Sequence, residues 1–284
     1  MDITPFTLSL EIVPPRNGVD HEAVLSKLEP LKGKIDFVSV TKGAGGSLRG
    51  GSLPMAFYAG QRLGCPVVAH VVCREKTRYE LENDLIDYHC FGIKDILALR
   101  GDPPAGSPEE WKGDYAYAYL LIEQIKSMNQ GHYLPREIEH GQRNGSKTDF
   151  SILAAGHPED PILTEIEHVK KKAEAGAELI ITQMVFSFEN YRSYVESLRE
   201  AGITLPVIAG LRPLISLEQA ESAERFFKIP VGDVLKDGLR HQGKEFGISY
   251  SVDFIKKLKA YGAPGAHLFV LNDAEIVLEI LARL

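Results

Sequence analysis

Carboxylate, imidazole, guanidinium and amide side chains recur at the ends of short apolar runs in this chain. Glu11 falls near the end of TLSLEI (7–12), Thr41 closes IDFVSVT (35–41), His70 lies inside PVVAHVV (66–72), and Arg100 closes DILALR (95–100) with Asp102 two residues on. Gly156 and His157 follow FSILAA (150–155), Gln183 ends ELIITQ (178–183), and Arg212 follows LPVIAG (205–210). Groups of these types move protons or hold the polar edge of a ligand, and on an apolar run each needs a partner or a task. Each also has an ordinary structural reading. Glu11 can cap a helix or pair with Arg100, His70 can be a core histidine with its hydrogen bonds made, and Thr41 is a good strand residue. Lys170, Lys171 and Lys172 read as a solvated helix face, and Tyr115, Tyr117 and Tyr119 as core or interface aromatics. His70, Cys73, His89 and Cys90 match no familiar ligand spacing, so no metal site is expected.

The elements that must position these residues are legible in the same runs. With AHLFVL (266–271) there are eight near-continuous apolar stretches, the mark of strands buried on both faces, and amphipathic segments alternate with them. Eight such units predict an α/β fold of one domain over 1–284, a (β/α)8 TIM-type barrel, whose chemistry gathers at the carboxyl ends of the strands. A doubly wound open sheet shares the alternation, but KGAGGSLRGG (42–51) has Leu48 where a dinucleotide fingerprint needs glycine, and no P-loop occurs. After run five, Ile162, Ile166, Val169 and Ala173 share one helical face, with Asp160 as expected N-cap, Pro161 in the first helical position and Gly176 as the stop. The polar stretch 129–149 interrupts the rhythm and is expected to be a surface insertion, and 228–248 an extra helical segment.

Composition narrows the partners. With 284 residues, 44% of them hydrophobic, the chain can bury a large core without disulfide or structural metal. The net charge of −7 provides no basic footprint for nucleic acid or an anionic membrane surface, and no apolar run is long enough to span a bilayer. Three cysteines without a CxxC pair argue against a disulfide framework and suit a reducing, cytoplasmic setting.

LEIVPP (10–15), DFVSVTKGAGGS (36–47), AHVVC (69–73), LALRGDPP (97–104), AAGHPE (154–159), ITQMVF (181–186) and LFVLN (268–272) together resemble the methylenetetrahydrofolate reductase family, in order and spacing through nearly the whole chain. The resemblance implies an FAD-containing barrel that reduces 5,10-methylenetetrahydrofolate to 5-methyltetrahydrofolate. NADH, NADPH or an electron-transfer protein would be the electron source. It implies Glu11 as general acid, its proton retained through desolvation or crowding by Asp102, with Arg100 pulling the other way. Asp102, Gln183 and Gln219 would hold the pterin. Thr41, Lys42, Ala44, His70, Arg100, Gly101, Asp102, Ala116, Ala155 and His157 would contact FAD, with Glu165, His168, Lys171 and Lys172 reaching its ribose, adenine and diphosphate.

The chain also departs from the family pattern. Ile12 and Val13 replace paired aromatics, Lys42 a tyrosine, and His157 the tyrosine of a YPE motif; the histidine usual shortly after that motif is displaced or absent, with Asp160 nearby. Ala223 stands where an aromatic that stacks on nicotinamide or folate occurs in some members, and Asp273 where a folate-contacting arginine is common. These departures bear most on direct NAD(P)H binding and favour electrons delivered through a partner. The alternatives are a folate-binding subunit without flavin and a barrel that transfers a methyl group within a complex. Homo-oligomerisation is open.

Overall fold

Each of the eight apolar runs forms a strand in the computed structural model, which describes residues 6–43, 49–102, 112–135, 141 and 143–284. In chain order the elements are β1 (Thr7–Ile12), α1 (Glu22–Leu28), β2 (Phe37–Val40), α2 (Ser52–Leu63), β3 (Val67–Val72), α3 (Arg78–Cys90), β4 (Asp95–Leu99) and α4 (Ala118–Asn129). A small pair, β5 (His132–Tyr133) and β6 (Arg143–Asn144), precedes β7 (Ser151–Gly156), α5 (Ile162–Ala175), β8 (Leu179–Met184) and α6 (Phe188–Glu200). The chain continues through β9 (Val207–Leu211), α7 (Leu217–Phe227), α8 (Asp233–Tyr261), β10 (Gly265–Leu268) and α9 (Ala274–Leu281). The sheet closes in the order β1-β10-β9-β8-β7-β4-β3-β2, and every pair in it is parallel. This is the (β/α)8 barrel expected from the alternation of runs.

Strand alternation sorts the side chains into two cores. Leu8, Leu10, Ile12, Val38, Val40, Ala69, Val71, Ile96 and Ala98 face the helices and join their apolar stripes. Phe37, Val68, Leu97, Leu153, Leu179, Ile181 and Ile208 fill the barrel interior. Glu11, Thr41 and His70 have the inward parity, as does Gln183 two residues after Ile181. Deep inside, His267 is held by two hydroxyls, Ser9 Oγ at 2.8 Å from Nδ1 and Ser39 Oγ at 3.1 Å from Nε2. Burial, with His70 nearby, lowers the pKa of His267 to about 3, so the ring is neutral and one nitrogen donates while the other accepts.

A third cluster sits on the mouth. Met184, Phe186 and Leu214, which end or follow β8 and β9, pack with Ala220 and Ala223 of α7, Ile229 and Val231 of the connecting loop, and Leu235 and Leu239 of α8. Thus α7 and the first part of α8 build up one side of the rim. The helix expected within 228–248 is present, but it runs on into the following barrel helix across a break at Gly243, whose φ of 55° and ψ of −132° are not helical.

Two expectations shift in detail. α5 starts at Ile162 with Pro161 as its cap residue, one position later than the spacing predicts, and Gly176 closes it at φ 119°. Its buried residues are Glu165, Val169, Lys172 and Ala175, whereas Ile162 is exposed and Ile166 and Ala173 are half-buried. The stripe is rotated because Glu165 and Lys172 find polar partners beneath the helix; Lys172 is therefore no part of a solvated face. The 129–149 stretch, whose residues 136–140 and 142 lie outside the described residues, carries the β5–β6 hairpin. Buried Glu82 of α3 accepts from Leu134 N (2.8 Å) and pairs with Arg143, while Asn129 bonds Phe150 and Thr148.

Candidate active site

Glu11 reaches the mouth because β1 stays extended one residue beyond it and the following chain is tied down. Asn272, after β10, donates to Val13 O (2.8 Å) and accepts from Val13 N (2.9 Å), a two-bond clamp across the barrel seam. To make it, Leu271 and Asn272 adopt φ of 51° and 66°, a conformation non-glycine residues seldom take and one that concentrates at functional sites. Desolvation raises the Glu11 pKa to about 8, with the positive charge of Arg212 acting in the opposite direction. A carboxyl group in this state carries a proton near neutrality and can give it up. The crowding expected from Asp102 is not the cause: Asp102 lies exposed on the rim. Nor is Arg100 the opposing cation, since it is exposed and its Nε donates to Ala116 O (3.0 Å). That bond also replaces the Glu11–Arg100 pair considered from sequence.

Arg212 is the residue the sequence reading placed at a strand end but gave no role. It follows β9, and β10 alone separates that strand from β1 in the barrel. Its guanidinium carbon is 5.6 Å from the centroid of the Phe227 ring, which is 42% exposed at the end of α7. A second residue the reading missed is Phe269, whose ring occupies the space a side chain at Gly210 would need: a Cβ there would stand 2.7 Å from the ring.

Around the opposite half of the mouth, Thr41 Oγ1 and His70 Nε2 are buried without a hydrogen-bond partner among the described residues. Burial lowers the His70 pKa to about 3, so the imidazole is neutral. Unpaired buried polar atoms are costly, and two of them at one mouth mark a place where a polar ligand edge would satisfy them. Gly101 directs the chain from Arg100 to Asp102 at φ 91°, with a hypothetical Cβ only 2.3 Å from Val72 Cγ1, so glycine alone fits that corner.

Gln183 and Gln219, the two glutamines expected at the pterin, are oriented by the backbone. Gln183 Oε1 accepts from Met184 N (3.0 Å), and Gln219 Oε1 accepts from Ile215 N (3.0 Å). Since an amide oxygen must face those N–H groups, each NH2 group is turned away from them and makes no hydrogen bond among the described residues.

The residues expected at the dinucleotide end divide. Lys171 Nζ lies 5.7 Å from the centroid of the Tyr119 ring, and the His168 and Tyr117 rings are 6.3 Å apart. Tyr117 is 46% exposed and stacks at 5.4 Å on Tyr119, which is partly buried and packs against the core, so the pair runs from core to open surface. Glu165, by contrast, is fully buried: Oε1 accepts from His157 N (2.8 Å) and Tyr194 Oη (2.9 Å). Lys172 Nζ donates to Ala155 O (2.8 Å), and burial lowers its pKa, with Glu165 and Asp160 partly offsetting the effect. Burial also opposes protonation of His157, yet the bond to Glu159 and the neighbouring carboxylates raise its pKa overall. Lys42 pairs with Asp84 of α3 at 2.7 Å, and Lys76 pairs with the same carboxylate. Ala44 lies outside the described residues. No group of three or more metal-ligating side chains occurs among the described residues, and no helix among them is long and apolar enough to cross a membrane.

Known proteins resemble this chain over nearly its whole length. The methylenetetrahydrofolate reductase (NADH) 1 of Arabidopsis thaliana is 27% identical over 299 residues, covering 97% of this chain and 48% of its own. The 5,10-methylenetetrahydrofolate reductase of Salmonella typhimurium is 28% identical over 283 residues, covering 95% of this chain and 87% of its own. This chain therefore spans about half the length of the plant relative and most of the bacterial one. Among solved structures, an uncharacterised protein from Clostridium thermocellum that binds two copies of 5-methyl-5,6,7,8-tetrahydrofolic acid superposes with a TM-score of 0.64 at 14% identity, over 98% of this chain and 93% of its own, a likeness of fold. The family model for methylenetetrahydrofolate reductase matches residues 2–284, and on that match the chain belongs to the methylenetetrahydrofolate reductase family.

Proposed function

We propose that the protein reduces 5,10-methylenetetrahydrofolate to 5-methyltetrahydrofolate in a flavin-dependent reaction. The observation that carries this reading is Glu11, a carboxyl group set at the barrel mouth whose proton is retained up to about pH 8 by desolvation. Opening the five-membered ring of the substrate breaks a carbon–nitrogen bond and leaves an iminium, and the departing nitrogen takes a proton. Glu11 donates that proton. The carboxylate then formed faces Arg212, whose charge stabilises it. Gln183 and Gln219 present amide donors to the pterin edge, and Asp102, held out by the Gly101 corner, accepts from the pterin N–H groups.

FAD, when bound, supplies hydride chemistry. The residues present fit such a group. Thr41 Oγ1 and His70 Nε2 offer unsatisfied polar atoms for a heteroaromatic ring system. Arg100, Gly101, Ala116, Ala155 and His157 line the same half of the mouth, and Lys171 and His168 with their tyrosines suit a diphosphate and adenine. Glu165 and Lys172 serve from underneath, as struts that fix Ala155 and His157, and Lys42 acts through its pair with Asp84. Electrons come from NADH, NADPH or a partner protein. A reducing, cytoplasmic setting suits a chain whose three cysteines include no CxxC pair.

The absorption spectrum of the purified protein, followed by identification of flavin released on heating, tests the reading. Stoichiometric FAD is expected. A protein that neither carries nor takes up FAD would instead support a folate-binding or methyl-transferring subunit.

A further inference from the structure

The imidazole of His157 is anchored at one nitrogen and open at the other. Leu153 of β7 fills the barrel interior, and a Cβ at Gly156 would run outward into Tyr194 Oη of α6, so Ala155 and His157 keep the inward parity of Leu153. Two carboxylates fix the residue: its backbone N donates to Glu165 Oε1 (2.8 Å), and its ring Nδ1 lies 3.1 Å from Glu159 Oε1. The residue is half-buried, and Nε2 makes no hydrogen bond among the described residues. With Nδ1–H bonded to a carboxylate, Nε2 accepts when the ring is neutral and donates when it is charged.

The charges around the ring make its proton matter. Its own loop carries Glu159 and Asp160, α5 carries Glu165 and Lys172, and α6 contributes the Tyr194 hydroxyl, which donates to Glu165. On the neighbouring β4 end, Arg100 lies exposed and its Nε donates to Ala116 O. On the loop and α5, three acidic groups therefore stand against one lysine, and Lys172 Nζ is turned under the rim to Ala155 O. With a neutral imidazole this corner carries an excess of negative charge, which protonation reduces. FAD brings a negatively charged diphosphate, so its entry beside these carboxylates favours the protonated ring. We propose that FAD binding is coupled to proton uptake at His157, whose imidazolium, held by Glu159, is the switchable cation that lets this acidic corner accept the anionic cofactor. This rests on the proposed flavin-dependent reaction. Burial opposes the charge on His157, but the bond to Glu159 and the nearby carboxylates outweigh it and raise the pKa above the ordinary 6.5. A bound anion raises it further, and by linkage the proton tightens FAD by the same factor. The tyrosine that the family pattern has at this position supplies no cation, so the coupling belongs to the histidine of this chain.

Fluorescence titration of the flavin-depleted full chain with FAD, from about pH 6 to about pH 9, reads the coupling without turnover. Affinity should fall by about tenfold across the window, which corresponds to a difference of about one unit in the His157 pKa between the free and the FAD-bound protein. His157→Tyr should remove that fall, and Glu159→Gln, which keeps a hydrogen-bonding side chain but not the charge, should move it to lower pH. Glu11, whose proton leaves near pH 8, is common to the wild type and both variants and cancels in the comparison. In the wild-type protein, an NMR titration of the histidine rings should show His157 losing its proton at higher pH with FAD bound than without it. The same pH dependence in His157→Tyr as in the wild type would overturn the proposal. So would a His157 titration that FAD leaves in place or moves to lower pH, a result that needs no variant. Absence of FAD binding at every pH would instead overturn the flavin reading itself, and the proposal with it.

Discussion

The proton on Glu11 is the property from which the residue-scale predictions follow. In the unfolded chain the carboxyl group has its ordinary value of 4.5, whereas the folded protein holds it near 8. Between these values the folded state binds more protons than the unfolded state, so Glu11 costs stability progressively as pH rises from about 4.5 to 8, and its contribution is most favourable below that window. Glu11→Gln should therefore be more stable than the wild-type protein at pH 8–9, by an amount on the order of a few kcal/mol, and nearly matched at pH 4.5–5. Urea unfolding at the two pH values checks this; an unchanged difference across the window would contradict it. Arg212→Gln removes the charge that lowers the Glu11 pKa, so the pH above which the rate falls should move upward. A pH–rate profile that moves downward or stays fixed would show that Arg212 does not act on the acid. Little of this was legible beforehand. The position of Glu11 is a matter of strand alternation and could be read from the sequence, but the group acting on it comes from β9, and side chains adjacent across a barrel leave no trace in linear spacing.

Elements explain why some polar residues are struts rather than ligand contacts. The charges on α5 look solvated in sequence, since Glu and Lys are rarely fully buried. The structure buries Glu165 and Lys172 because β7 and α6 present matching groups: His157 N, Ala155 O and Tyr194 Oη. Glu165→Ala should leave His157 N and Tyr194 Oη buried without their acceptor and Lys172 without the neighbouring negative charge, and cost about 2–5 kcal/mol, the range for two buried donors left unsatisfied. Tyr194→Phe, which removes one hydroxyl, should cost about 1–3 kcal/mol. Denaturant midpoints measure both, and losses below about 1 kcal/mol for Glu165→Ala would mean the network is not under load. At the seam, Asn272→Ala removes both bonds to Val13. It should slow catalysis more than it weakens flavin binding, because the segment it releases carries Glu11 and belongs to the arc opposite the flavin contacts. A parallel loss of flavin affinity would argue against that division.

At the scale of the whole molecule, the architecture was the most legible feature, because eight apolar runs interleaved with amphipathic helices leave few folds to choose among. The β5–β6 hairpin was less so: two-residue strands carry no periodicity, and Glu82, which anchors them, lies far away in sequence. The mouth was legible as a set of strand ends and illegible as two halves, because that division depends on closure of β1 against β10. If the halves do bind flavin and folate, added FAD should raise the melting temperature of flavin-depleted protein in a concentration-dependent way, and Thr41→Val with His70→Leu should weaken that effect while preserving the fold.

The central claim, a flavin-dependent folate reduction in which Glu11 gives the proton, is tested most directly by a single half-reaction. Protein loaded with FAD and reduced chemically under anaerobic conditions is mixed with 5,10-methylenetetrahydrofolate, and the return of the oxidised flavin absorbance is followed for the wild type and for Glu11→Gln. The account predicts rapid reoxidation in the wild-type protein, with 5-methyltetrahydrofolate as product. In Glu11→Gln, with flavin still bound, the rate should be at least about 10² lower, as expected when a general acid is removed. Reoxidation of the variant at the wild-type rate would contradict the role of Glu11, and a wild-type protein whose reduced flavin is unaffected by the folate would contradict the function.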